Sequence, residues 1–215
     1  AGELGFGGQD YVAAQNLQQS LTGGISAFAS VRASLANVNQ AGSFFVLSSR
    51  SLARNASKMM TLLNETSQGL RFDETARIAE LVRQSNTRKQ MGVVNQGHSL
   101  AMLAASAAFS KISALNHQLS GLGSLAFFKG LVAKIEEGDV ASLAADLAGL
   151  YARFQQAPQS AMVIADEARV PELVNALLQR GSLTQSGPAQ QLIHAEQTAL
   201  ETVYVTETEV NFCAA

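Results

Sequence analysis

The 215-residue sequence contains no tryptophan, one cysteine, three prolines and three histidines. A single cysteine, Cys213, excludes an internal disulfide and a zinc knuckle, and is compatible with the cytosol or another reducing compartment. A catalytic zinc site on a helix takes two histidines one turn apart and a carboxylate, leaving an open position for water. His98, His117 and His194 are too widely spaced for that. His194-Ala195-Glu196 is the one close His/Glu pair, and it reads as a solvated helix or loop. Charge is sparse too, at 15% of residues with a net value of -2 and both signs interspersed. That leaves no basic stripe for nucleic acid and no acidic tail. No apolar run approaches the ~20 residues of a membrane-spanning helix; the longest Ala/Leu stretch, residues 100–109, is too short. Residues 1–8 are glycine-rich without the charged and apolar regions of a signal peptide.

What is present is periodicity around Thr22-Gly23-Gly24-Ile25. From Ile25 the odd positions Ile25, Ala27, Ala29, Val31, Ala33 and Leu35 are apolar, while Ser26, Ser30, Arg32 and Ser34 are polar. A period of two predicts a strand with one drier face. Before the glycines, Tyr11, Val12, Leu17 and Leu21 among glutamines predict one short helix, and the glycines permit a left-handed exit from it. Residues 37–42 are turn formers, and Phe44-Phe45-Val46-Leu47 predicts the second strand of a hairpin. Arg54-Asn55 offers a cap for a helix bearing Met59, Met60, Leu62, Leu63 and Thr66 up to Gly69, and Asp73 offers a cap for the next.

Further on, Gly92 and Gly97 predict a helix break with a restart at His98 or Ser99, followed by a close-packed buried helix from Leu100 to Ala108. Residues 110–113 read as a connector, and Leu115 through Ile135 as one helical period. Asp139 caps an amphipathic helix whose stripe includes Val140, Leu143, Leu147, Tyr151 and Phe154. Residues 161–165 read as a buried strand, and Pro171 opens a helix that stops at Arg180-Gly181. Residues 182–188 read as a loop and 201–212 as a strand. The expected fold class is α+β, with a mostly antiparallel sheet covered on one face by helices in a two-layer sandwich.

Two motifs mimic chemistry. Gly97-His98-Ser99-Leu100-Ala101 comes within one residue of the nucleophile elbow G-x-S-x-G, and Ser99, Asp166 and His194 would fill a serine hydrolase's triad order. The elbow requires a buried strand before the serine, whereas residues 84–96 are polar and helical. Gly5-Phe6-Gly7-Gly8 has no strand before it and no Gly-Lys-Ser/Thr after it, so it is no phosphate loop. A helical interaction module is the remaining alternative, since the helices are rich in Ala, Ser and Gln.

Tyr11, Thr22-Gly23-Gly24-Ile25-Ser26, the hairpin, Asn64-Glu65 with Arg71-Phe72-Asp73, Gly97-His98 with Ala101, and Leu119-Ser120-Gly121-Leu122, in that order and spacing, resemble the pitrilysin/insulinase zinc peptidases. The similarity runs from about Gly2 to Phe212 and is greatest to the presequence-protease branch, at the first domain of its C-terminal half. Such enzymes hold zinc through H-x-x-E-H and a later glutamate in their first domain. The corresponding segment here, before Thr22-Gly23-Gly24, contains no histidine.

The resemblance therefore implies a non-catalytic domain with the mitochondrial-processing-peptidase-like metallohydrolase fold, without catalytic, metal-binding or cofactor-binding residues of its own. Zinc is expected in the N-terminal catalytic domain of the parent. The implied partners are other domains of the same polypeptide and unfolded peptide held in a closed chamber. Residues 1–209 would form one inactive peptidase-like domain lacking its N-terminal strand, and 210–215 the start of the next domain or a linker. The lack of an initiator methionine and the apolar last residues fit an excised piece of a longer protein. An exposed sheet edge, with the tail Val210 to Cys213 as a partner, would allow a dimer.

Overall fold

In the computed structural model, residues 2–35, 37, 40–178, 203–204 and 212–214 are described. Helix α1 (Tyr11–Leu21) opens on Asp10, whose carboxylate accepts from the Ala13 amide at 2.8 Å, and closes at Thr22. The Thr22 hydroxyl donates to the Gln18 carbonyl and accepts from the Gly24 amide at 2.9 Å. Gly24 has φ +97°, the left-handed geometry that permits a reversal into strand β1 (Ile25–Ala33). β1 pairs with β2 (Ala41–Ser49) in a two-stranded antiparallel sheet, and the Ser34 amide closes the loop on the Gln40 carbonyl at 2.8 Å. The hairpin is where periodicity and glycines placed it.

The expected alternation holds over the first four residues of β1, half-buried Ile25 and Ala27 against exposed Ser26 and Phe28, and then fails, with Ala29 and Ala33 exposed and Ser30 half-buried; none of the residues of either strand is fully buried. A two-stranded hairpin is only marginally stable without further packing. Helices α2 (Ala56–Gln68) and α6 (Val140–Gln156) follow the predicted stripes. Asn55 is the N-cap residue of α2, but its side chain instead donates to the Leu21 carbonyl at 3.1 Å and so ties α1 to α2.

By contacts the chain sorts into two compact units, one of residues 1–29, 45–77 and 141–189, the other of residues 30–44, 78–140 and 190–215. In the first, Phe6, Ala14 and Leu62 form the buried centre, with Leu17 and Ile25 packed against it. Phe45 of β2 stacks on Phe154 of α6 with ring centroids 4.7 Å apart, and the Tyr151 hydroxyl donates to the Thr66 carbonyl at 3.0 Å. That bond satisfies one of the carbonyls left open at the end of α2. Helix α7 (Val170–Leu178) packs on α2.

In the second unit, helix α3 (Thr75–Ser106, its first residues belonging to the first unit) bends at Gln96, where φ is -130° and ψ 25°, between the two glycines that predicted a break. Beyond the bend it is half-buried rather than buried, with Met102 exposed, because its small residues leave one side open to solvent. Ser110 caps α4 (Lys111–Leu119) instead of lying in a connector. The helical period expected from Leu115 to Ile135 is cut at residues 120–122, and α5 runs over Gly123–Glu136. Gly121 lies closest to α4: a Cβ there would stand 2.8 Å from the His117 carbonyl oxygen and force the turn outward, while one on Gly123 would stand 3.1 Å from the same oxygen, a tight contact.

Among the described residues the sheet is smaller than expected. Residues 161–165 form no strand and are largely exposed, with Met162 84% and Ile164 86% accessible. The predicted stop at Arg180-Gly181, the loop at 182–188 and His194 lie outside the described residues, as does most of the strand expected at 201–212.

Candidate functional site

The place to test for chemistry is α1, the helix that would carry metal ligands in a zinc peptidase of the resembling family. Its side chains hold the chain together instead. Gln18, 5% exposed, reaches the Gly2 carbonyl at 3.3 Å, and Ala14 is fully buried against Phe6 and Leu62. The nearby carboxylates are taken up as well. Asp10 caps the helix, and Glu74 accepts from the backbone amides of Gly5 at 2.8 Å and Tyr11 at 2.9 Å. Glu3 pairs with Arg77 at 2.8 Å, and the Arg77 guanidinium lies 4.6 Å over the Tyr11 ring. A carboxylate that accepts two amide protons has few lone pairs left for a cation, and α1 offers no imidazole or thiolate to join it. The residues at this position therefore do not fit a zinc ion. Among the described residues, no three His, Cys, Asp or Glu side chains come together around a metal-sized space.

The Arg71–Asp73 pair beside this region is bidentate, with contacts of 3.0 and 2.6 Å. The guanidinium holds the Asp73 carboxyl below the ordinary carboxylate range, and Asp73 in turn raises Arg71. Expected as a helix cap, Asp73 spends its side chain on Arg71, and only its backbone carbonyl meets the Thr75 amide.

The second unit holds a polar cluster that sequence reasoning missed. Lys89 donates to the Ser124 hydroxyl at 2.8 Å and lies 4.8 Å from the centre of the Phe128 ring. Ser124 in turn donates to the Gly121 carbonyl at 2.7 Å. Burial lowers the Lys89 pKa below its usual value, and a serine beside a lysine is one pairing of a nucleophile with a base. Ser124 is only 2% exposed, however, and both its bonds are internal, so no substrate can reach it. Alongside, His117 is 8% exposed, its Nε2 lies 2.9 Å from the Tyr204 hydroxyl, and its Nδ1 is buried with no hydrogen-bond partner. Burial pushes its pKa down. The signal available in the sequence was the pair Gly121 and Gly123 four and six residues after His117.

Ser99 and His98 are exposed on α3 just past its bend. Helix, not strand, precedes Ser99, so the sharp strand-to-helix turn of a nucleophile elbow is missing. Of its imagined partners, Asp166 starts a 3₁₀ turn in the other unit and His194 lies outside the described residues. An open depression of about 450 Å³ is lined by Glu80, Arg83, Gln84, Thr87 and Arg88, all on α3 itself.

A family model for the associated domain of the M16 peptidases, subfamily C, matches residues 1–131, well over half of the chain. The chain belongs to this peptidase-associated family. Membership marks it as a non-catalytic domain that accompanies a peptidase of that subfamily. Among curated proteins, Protein HypA of Clostridium perfringens (strain 13 / Type A) is 26% identical over 145 residues, which is 67% of this chain. The chain covers only 14% of the length of that relative. The family match spans α1, the hairpin, α2, α3, α4 and part of α5, and so includes the Thr22-Gly23-Gly24 exit together with Lys89, His117 and Ser124, while Tyr204 lies beyond it.

Proposed function

We propose that this peptidase-associated domain belongs to a larger zinc metalloendopeptidase that degrades short unfolded peptides, and that it contributes part of the wall of a closed substrate chamber. The supporting observation is at α1: the helix leaves through a left-handed Gly24 into the hairpin, and the side chains on it serve capping and packing and include no metal ligand. The presequence-protease branch is the reading that the order of motifs favours. Zinc binding and bond cleavage fall to another domain of the same polypeptide; this one has no metal, cofactor or catalytic residue of its own. In the whole protein the β1–β2 hairpin is one edge of a larger antiparallel sheet with helices on one face, which gives the half-buried strands their missing cover.

The test is direct. Purified with zinc in the medium and then desalted, the 215-residue chain should retain no stoichiometric zinc and should leave a quenched-fluorescent peptide intact. Stoichiometric zinc, or cleavage that a chelator abolishes, overturns the reading.

A further inference from the structure

The buried His117 ring has covers of unequal strength. A Cβ on Gly121 would stand 2.9 Å from Nδ1 and one on Gly123 3.3 Å from Cδ2, so bare backbone lies against two sides of the ring. That backbone is pinned: Ser124 donates to the Gly121 carbonyl at 2.7 Å, and Lys89 donates to Ser124 at 2.8 Å. The remaining cover among the described residues is a side chain. The Tyr204 hydroxyl lies 2.9 Å from Nε2, the two rings meet edge-on with centroids 5.8 Å apart, and Tyr204 is itself 42% exposed. Tyr204 is therefore the cover that moves into water most easily, since a partly exposed side chain opens locally at less than the free energy of unfolding.

Neutral imidazole has one N–H and one bare nitrogen, and with Nδ1 unpartnered only one of the two is satisfied here. Binding a proton gives both nitrogens a hydrogen and adds a charge, while Nδ1 still has no acceptor in a ring that is 8% exposed. Among the described residues no carboxylate bonds either nitrogen. The other charged group on α4 is Lys111, and α5, which packs on α4, carries Lys129, Lys134 and Glu136, none of them bonded to the ring. From α3, the group that reaches the adjoining turn is Lys89, a cation like the charged ring itself.

We propose that the His117–Tyr204 contact is an acid-operated tie: protonation of His117 turns Tyr204 out into solvent while the rest of the unit stays folded. A second contact marks the limit of the release. The Phe212 ring packs on Gly97 beside the bend of α3, so closely that a Cβ there would overlap it, and neither partner titrates. That contact holds throughout. The direction follows from burial, which makes folded His117 bind a proton less readily than free histidine. The tie is closed at neutral pH and opens as pH falls below about 6.5 towards the folded value.

The experiment uses the full chain with ring-labelled tyrosine and histidine, followed by NMR between about pH 7.5 and 5. The chain has three tyrosines and three histidines, so Tyr204→Phe and His117→Gln assign the two signals. The nuclear Overhauser contact between the rings should be present at the upper pH and lost at the lower, with the midpoint of the His117 titration. His117→Gln, a neutral side chain that still can bond the phenol, should remove the pH response of the Tyr204 signal. A nitroxide on Cys213, the single thiol and an exposed one, should broaden the Gly97 amide at both ends of the range, with helical circular dichroism unchanged. An Overhauser contact that survives protonation of His117 overturns the proposal, as does a Tyr204 response that persists in His117→Gln. Loss of the Gly97 broadening or of helix over the same range overturns it too, because the transition is then unfolding and not release. If His117→Gln fails to fold, the two midpoints in the parent chain decide: unequal values overturn the proposal. None of these outcomes touches the zinc and cleavage test above.

Discussion

A methyl group on Gly24 would meet nothing within 4 Å, yet the residue has φ +97°, where an L side chain is strained. Its neighbour Gly23 has ordinary angles, but a Cβ there would press on the Arg50 side chain at 2.9 Å, which is long enough to swing aside. Both glycines are equivalent in the sequence, so the sequence shows that a reversal occurs and not which residue makes it. Gly24→Ala should therefore cost about 1–2 kcal/mol in urea unfolding, and Gly23→Ala clearly less; equal losses would place the strain elsewhere. His117 makes a second residue-scale case. Because burial lowers its pKa, the unfolded chain binds a proton more readily than the folded one. Stability is then unaffected above the ordinary value of about 6.5 and falls as pH drops below it towards the folded value. His117→Gln should flatten that part of the pH–stability curve while other acid-sensitive groups, Asp73 among them, keep their own fall at lower pH. A curve identical to the parent's between about pH 6.5 and 5 would show that His117 binds a proton equally readily in the folded and unfolded states.

At the scale of elements, local patterns were legible wherever one face of a helix or strand decides the matter. α1, the hairpin, α2, the bend of α3 and α6 all follow from periodicity, glycine and capping residues. The misses have a common physical source: they depend on what an element packs against. Residues 161–165 have strand composition but no partner strand among the described residues, and the turn at Gly121-Leu122-Gly123 passes close over His117. The Glu74 tie lies further still from sequence reach, since it joins residues 63 and 69 positions apart. One carboxylate there holds the N-terminal arm and the first turn of α1 to the start of α3. Glu74→Ala leaves two amides unpaired and should cost about 2 kcal/mol. It should also speed exchange of the Gly5 and Tyr11 amides more than that of the α2 amides. If exchange at Gly5 and Tyr11 stays protected, the tie is not what anchors the arm.

At the scale of the molecule, the sequence bears on one half of the functional reading directly, through residue types: α1 contains no histidine. What it could not carry is the positive half, because a surface made to meet another domain differs from a core only in what covers it. In the second unit Met91, Val94 and Met102 on α3, Phe109 in the turn that follows it and Phe127 on α5 are each more than half exposed. Large apolar side chains in such numbers are unusual on a protein that works alone, and their normal meaning is an interface. If so, the isolated chain in its native state should bind a hydrophobic dye such as ANS strongly while still giving a cooperative unfolding transition. Phe109→Ser with Phe127→Ser should cut that fluorescence with little loss of stability, since both rings are already largely in water. Dye binding that persists undiminished in the double variant, or a transition without cooperativity, would point to loose packing instead of a built interface.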